Sequence, residues 1–255
     1  MHSARDFIVY TSATVIWWTL SVTCLLPFVI FLKLCKPLRD KWFSWLYIRL
    51  LGSVRGAVLA KSRKRAFDLL QTHLQDIKMN ATLEILEIGV GGGATLSLYP
   101  ANTNLTVLEP NVSMVKYFEE ARRKNPHINY KKILIAMAED MHQIDDDSFD
   151  VVVGMYVLCS VQCVRSALKE VKRVLKPGGK FLFVLHTTYP SSTWKALLQT
   201  LINPLWKIAF NGCNLKNKDD EEIRKSGFSD IETQKIYPKD LWLYVRPQVI
   251  GVATK

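Results

Sequence analysis

From Leu83 to Thr187, five short apolar runs alternate with stretches of helical character, and this alternation does most to restrict the fold. The runs are "LEILEI" (Leu83 to Ile88), one ending in "LTVLEP", then "YKKILIA", "FDVVVGMYVL" and "KFLFVLHT". Helical segments lie between them. One runs from Asn111 to Lys124, with Asn111 or Ser113 as its cap; another runs from Val164 to Leu175 and stops at "KPGG". Strands joined by helices imply a parallel sheet covered on both faces. Ligands of such sheets bind beyond the carboxyl ends of the strands, near the point where strand order reverses. After Tyr189 the pattern changes. An apolar, partly helical stretch from Trp194 to Phe210 contains Pro204, and "DDEEIRKSGF" reads as a short helix. The segments "DIETQKIYP" and "LWLYVRPQVIGVATK" are close enough in sequence to pair antiparallel. The expectation is an α/β, doubly wound, mostly parallel seven-stranded sheet with a C-terminal antiparallel strand pair.

The chain has 255 residues and a net charge of +11, which first suggests nucleic acid or an anionic membrane. Position decides between them. Ten Lys or Arg and a single acid, Asp40, fall between Lys33 and Arg65, so residues 66–255 are nearly neutral. A nucleic-acid domain would spread its basic residues over a folded face, and no nucleic-acid partner is expected. Phe7 to Leu32 is a run of 26 residues without a charge. As a helix it would be about 39 Å long against roughly 30 Å of bilayer hydrocarbon. No small-residue cleavage site follows, so residues 1–32 are expected to be an uncleaved membrane anchor with the basic flank on the cytosolic side. Pro27 could instead bend the run into a hairpin within one leaflet. Trp42, Leu46, Leu50, Val54 and Val58 recur every four residues with Arg49 and Arg55 between them, so residues 33–65 read as a basic amphipathic segment on the membrane surface. Lys61, Arg63, Lys64 and Arg65 would face head groups or solvent. The five cysteines show no C-x-x-C pair, which indicates neither a disulfide framework nor a metal site.

The first apolar run ends in Gly89-Val90-Gly91-Gly92-Gly93-Ala94, a backbone that a ligand can approach closely. The spacing also fits a dinucleotide loop, and Glu109 lies twenty residues after Gly89, where a ribose-binding acid belongs. Glu87 argues against NAD, because a carboxylate at the strand tip would repel a pyrophosphate. It would attract the ammonium and sulfonium of S-adenosylmethionine. The turn in "VLKPGGKFLFV" and the antiparallel strand pair that ends the chain point the same way.

E-x-G-x-G-x-G, the acid ending the second strand, "DSFDVVV" and "LKPGG" resemble class I S-adenosylmethionine-dependent methyltransferases, whose fold is Rossmann-like. "LEIG", "EPN", "AEDMHQ", "VLCSV", "NPLW", "GCNL" and "VRP" are similar to the microsomal methyltransferase-like family of alkyl thiol S-methyltransferases. The resemblance spans Leu83 to Lys255. It implies a domain over residues 66–255 that moves a methyl group to the sulfur of small lipophilic thiols. It also implies attachment to the endoplasmic reticulum membrane, facing the cytosol, and presence on lipid droplets. Residue by residue, it implies that Gly89, Gly91 and Gly93 admit the methionine part of the donor and Glu87 attracts its ammonium. Glu109 would bind the ribose hydroxyls, with Asn111 supporting that edge, and Glu139 and Asp140 would read the adenine. Tyr156 and Val157 would line the methionine end. His186, ending the fifth strand, is the candidate base for the acceptor thiol. The family has Glu where this chain has Leu185, which weakens that role. Cys159 and Cys163 read either as reactive thiols or as packing beside the apolar strand. The alternatives are an oxygen or carbon acceptor on a lipid or quinone, and a non-enzymatic lipid-droplet protein.

Overall fold

The computed structural model describes residues 2–51, 56–74 and 82–255. Val54 and Arg55 of the amphipathic pattern lie outside them. Helices α1 (His2–Thr23), α2 (Leu26–Leu34), α3 (Lys36–Leu46) and α4 (Gly56–His73) precede the sheet, with a π turn, Tyr47–Leu51, after α3. Strands β1 (Leu83–Ile88) and β2 (Thr103–Leu108) follow, then α5 (Val112–Arg123), β3 (Asn129–Leu134) and β4 (Phe149–Met155). The remainder is α6 (Val164–Val174), β5 (Leu175–His186), α7 (Trp194–Ala209), α8 (Asp219–Lys225), β6 (Asp230–Ile236) and β7 (Gln248–Thr254). The seven strands lie in the order β3-β2-β1-β4-β5-β7-β6, and β7 is antiparallel to both of its neighbours. Strand order therefore reverses between β1 and β4, which opens a crevice at their carboxyl ends. In β1, Leu86 and Ile88 pack on the α6 face of the sheet, and Leu83 and Ile85 pack with Phe67 and Leu70 of α4 on the other. The last strand is shorter than its apolar run. Leu243, Tyr244 and Val245 are consecutive and all buried, which an alternating strand does not allow, and they form a 3-10 turn against α7.

The N-terminal region takes the bent alternative that Pro27 allowed and departs from expectation in two further respects. The 26-residue apolar run breaks at Cys24–Leu25, and Ala4–Thr23 and Leu26–Leu34 meet at 83°. Pro27 is among the first residues of α2, where its missing N–H costs no helical bond. Among the described residues no single helix is long and apolar enough to cross a membrane. First, α3 is not a free surface helix. Asn111 Nδ2 donates to the Asp40 carbonyl and to Ser44 Oγ, both at 3.1 Å, and Trp42 and Phe43 pack into a third core cluster with α7. Second, α4 runs unbroken across the expected boundary at residues 65 and 66, and Ser62 and Arg63 are buried with the sheet domain. Helix α1 also docks on that domain. Thr14 Oγ1 lies 2.8 Å from the Tyr244 hydroxyl, and Trp18 Nε1 donates to the Leu201 carbonyl at 2.9 Å.

Candidate active site

One cavity fills the crevice beyond β1 and β4. The glycine loop forms its floor, and Phe43, Tyr47 and Leu59 close it from the N-terminal side. Gly89 has φ +63°, and a Cβ there would lie 2.5 Å from a Val157 methyl, so both backbone and space demand glycine. The Gly91 N–H donates to Glu109 Oε2 at 2.7 Å, and the Asn111 N–H donates to Oε1 at 2.9 Å. Glu109 stands one residue past β2 and faces the cavity although only 6% exposed. Burial raises its carboxyl above the ordinary range, against the lowering by those two amides. A carboxylate held this way has lone pairs left for two vicinal hydroxyls.

The other expected site residues divide into two groups. Gly89, Gly91, Glu109, Glu139, Tyr156, Val157 and His186 line the cavity; Glu87, Gly93, Asn111 and Asp140 do not. Glu87 falls on the α4 side of β1, as strand alternation requires, and sits beneath the loop. Its carboxylate accepts from Thr95 Oγ1 at 2.7 Å and from the Tyr99 hydroxyl at 2.9 Å. Burial pushes its carboxyl up to about 7. Asn111 caps α5 and accepts from the Ser113 N–H at 2.9 Å, so it acts at one remove from the cavity. Asp140 points to solvent and pairs with His142 at 2.8 Å, because the chain turns outward after Glu139. Glu139 Oε1 accepts from the Gln162 and Cys163 N–H groups, and its buried Oε2 has no hydrogen-bond partner within the protein. Tyr156 has φ +61°, uncommon for a non-glycine residue. Its ring stacks on His186 at 4.7 Å, and its hydroxyl donates to Gln248 Oε1 at 3.1 Å. His186 is half-buried, its Nδ1 is unpaired, and desolvation pulls its pKa down to about 4. Cys163 is exposed and does not line the cavity either.

Two features of the site were not anticipated. Arg63, expected on a basic surface, is 5% exposed and lines the cavity; its guanidinium donates to the Tyr47 hydroxyl at 3.2 Å and lies 5.8 Å from the Tyr156 ring centre. The signal was available, since Arg63, Ala66, Phe67 and Leu70 share one helical stripe. Cys159 and Cys213 also line the cavity, with their sulfurs 3.4 Å apart. No local pattern links them, because 54 residues separate them.

The sheet order β3-β2-β1-β4-β5-β7-β6 with β7 antiparallel, a glycine loop at the reversal and a buried acid one residue past β2 together form the site of an S-adenosylmethionine-dependent methyltransferase. A family model described as a methyltransferase domain matches residues 86–183. A methyltransferase structure from Thermotoga maritima, described as a possible histamine N-methyltransferase, superposes with a TM-score of 0.55 at 20% identity, covering 89% of this chain and 98% of that one. Human thiol S-methyltransferase TMT1A is 34% identical over 88% of this chain and 91% of its own length. Human thiol S-methyltransferase TMT1B is 38% identical over 67% and 70%. The chain belongs to the thiol S-methyltransferase family.

Proposed function

We propose that the protein transfers the methyl group of S-adenosylmethionine to the sulfur of small lipophilic thiols. The observation that carries this reading is the polarity of the cavity from end to end. Glu109 and the glycine loop suit ribose and methionine backbone, whereas Trp206, Phe210, Leu241, Trp242 and Val245 line an apolar acceptor end. The residues fit the donor. Glu109 would take the ribose hydroxyls, the unpaired Glu139 oxygen the adenine side, and Arg63 the methionine carboxylate. When bound, the donor supplies a methyl group on a sulfonium, already activated for in-line displacement. Positioning therefore carries much of the rate. A thiol with pKa near 8.5 is partly ionised at neutral pH. Moving its proton to an imidazole with pKa about 4 is uphill by roughly 6 kcal/mol. On this reading His186 is a neutral wall of the cavity and not the base. The test is purified protein with labelled donor and a panel of alkyl thiols, alcohols and quinols. Methyl transfer to thiols that Glu109→Ala abolishes supports the reading. Transfer only to oxygen or carbon acceptors overturns the sulfur assignment, and absence of donor binding in calorimetry overturns the enzyme assignment.

The proposed seat of the enzyme is the cytosolic face of the endoplasmic reticulum membrane, with the same surface serving on lipid droplets. Exposed Ile8, Val15, Ile16 and Leu20 of α1, with Phe31 and Leu34 of α2, support it, as does the basic flank from Lys33 onward. An apolar acceptor arriving from lipid would meet the cavity beside these helices.

A further inference from the structure

Cys159 lies in the turn after β4 and Cys213 in the loop after α7. Both are buried, both line the cavity, and their sulfurs are 3.4 Å apart. Methyl transfer needs neither thiol. Contacts that do not involve sulfur tie the Cys213 loop to the Cys159 turn and to α7. The Asn214 N–H donates to the Cys159 carbonyl at 2.8 Å, and Asn203 bonds the Asn214 side chain at 3.0 Å and the Leu215 N–H at 2.9 Å. Beside them, the buried Trp206 indole N–H has no hydrogen-bond partner. A thiolate on Cys213 would be its acceptor. The sulfur–sulfur hydrogen bond lowers the Cys213 thiol below its ordinary range, opposed by burial and aided by the indole. The same bond, together with burial, pushes Cys159 well above that range. At rest the Cys213 thiol donates to Cys159 Sγ, so Cys213 attacks once its proton has left, the Trp206 indole N–H then stabilising the thiolate.

We propose that Cys159 and Cys213 form a dithiol–disulfide couple in the wall of the acceptor end, oxidised by small lipophilic disulfides that enter where the acceptor does. The choice of oxidant rests on the proposed function; the pairing of the cysteines does not. In the first step the Cys213 thiolate attacks one sulfur of R–S–S–R. The S–S bond breaks, a mixed disulfide forms on Cys213, and one R–S⁻ leaves and takes up the proton that Cys213 had released. In the second step the Cys159 sulfur bonds to Cys213, and its proton goes to the second departing R–S⁻. Two electrons pass from the cysteines to the oxidant, leaving the Cys159–Cys213 disulfide and two molecules of R–SH. The sulfurs must close from 3.4 Å to about 2.0 Å. Excess R–SH reverses the exchange, so the couple reports the redox state of the acceptor pool. Each oxidation also releases two molecules of the acceptor class beside the donor site.

The test uses full-length, fully reduced protein mixed with dibutyl disulfide, then acid-quenched, alkylated and mapped by mass spectrometry. The expected result is loss of the mass of two hydrogens, a Cys159–Cys213 linked peptide, and release of butanethiol. Cys159→Ser should stop at the mixed disulfide and keep a butylthio group on Cys213. Cys213→Ser should lose both reactions, with thermal unfolding confirming that each variant is folded. Oxidised glutathione, anionic and bulky, should react more slowly than dibutyl disulfide. Complete alkylation of Cys159 and Cys213 after exposure, with modification only at Cys24, Cys35 or Cys163, overturns the proposal. A methylation assay on the same sample is independent. Linkage without thiol methylation would refute the sulfur acceptor and keep the couple, and methylation with an unreactive pair would do the reverse.

Discussion

At the residue scale the chemistry of the site depends on two buried charged side chains, Glu109 and Arg63, and the second escaped the sequence. Glu109 was legible because it follows the second apolar run at a fixed distance from the glycines. Arg63 was not, because four basic residues cluster at Lys61–Arg65, and only helical phase separates the inward one from the rest. Arg63→Met should weaken binding of S-adenosylhomocysteine by about tenfold to a hundredfold, the range for a lost charge-assisted hydrogen bond. Calorimetry measures this directly, and unchanged affinity would remove Arg63 from the donor site. Glu87 was expected to face the donor, but strand alternation turns it beneath the loop, where its effect is on stability. In the fold its carboxyl stands at about 7 against an ordinary 4.5. The native state therefore binds more protons between those values. The contribution favours the fold below pH 4.5 and is lost as pH rises through 7, by up to about 3 kcal/mol. Asp219, also raised to about 7, adds a slope of the same sign. Glu87→Gln should therefore flatten, without abolishing, the fall in melting temperature between pH 5 and 7. An unaltered slope would show that Glu87 does not carry it.

At the element scale the sheet was the readable part. The parallel strands announced themselves as runs rich in apolar residues, although only a 3-10 turn lies between β1 and β2 and no helix between β3 and β4, and the antiparallel return of β7 followed from the short link between the last two strands. Helix α3 packs on the domain, although its period-four apolar pattern suits a membrane surface and a protein core equally well. What decided between them was Asn111, an N-cap whose side-chain amide also reaches the Asp40 carbonyl and Ser44. One side chain thus has two jobs that substitutions can separate. Asn111→Asp keeps an oxygen for the Ser113 N–H but loses the donor to α3. Asn111→Ala loses both. The cap is worth about 1 kcal/mol and the tie a similar amount. Urea unfolding should rank the stabilities as wild type, then Asp, then Ala, in steps of about 1 kcal/mol each. Equal destabilisation by Asp and Ala would mean that the cap contributes nothing.

At the scale of the whole molecule, the N-terminal helices have two faces that the sequence does not distinguish, because a helix apolar all round gives no phase. The docked face of α1 carries Tyr10, Thr14, Trp17 and Ser21, spaced four, three and four apart. Thr14 and Ser21 are 3% exposed, and Tyr10 and Trp17 pack into the cluster shared with α7. The opposite face presents Ile8 at 63% and Ile16 at 57% exposure, and α2 adds Phe31 at 62%. With α1 fixed on α7 and α2 turned by 83°, this outer surface suits a monotopic seat better than a straight span. The basic residues after Leu32 would then lie near head groups and make the attachment salt-dependent. Replacing Ile8, Ile16 and Phe31 with Lys tests the arrangement, since all three lie outside the cavity and off the docked face. Each large apolar side chain transferred to lipid contributes about 2 kcal/mol, so the triple variant should lose partitioning by at least about a hundredfold. In vesicle flotation with anionic lipid the wild-type chain should rise with the vesicles and the variant should stay in the load. Methylation of a water-soluble thiol should be unchanged between them, because the cavity is untouched. If the variant floats like wild type, the outer face is not the membrane seat. If it loses activity on the soluble thiol as well, α1 supports the catalytic fold through its exposed side too.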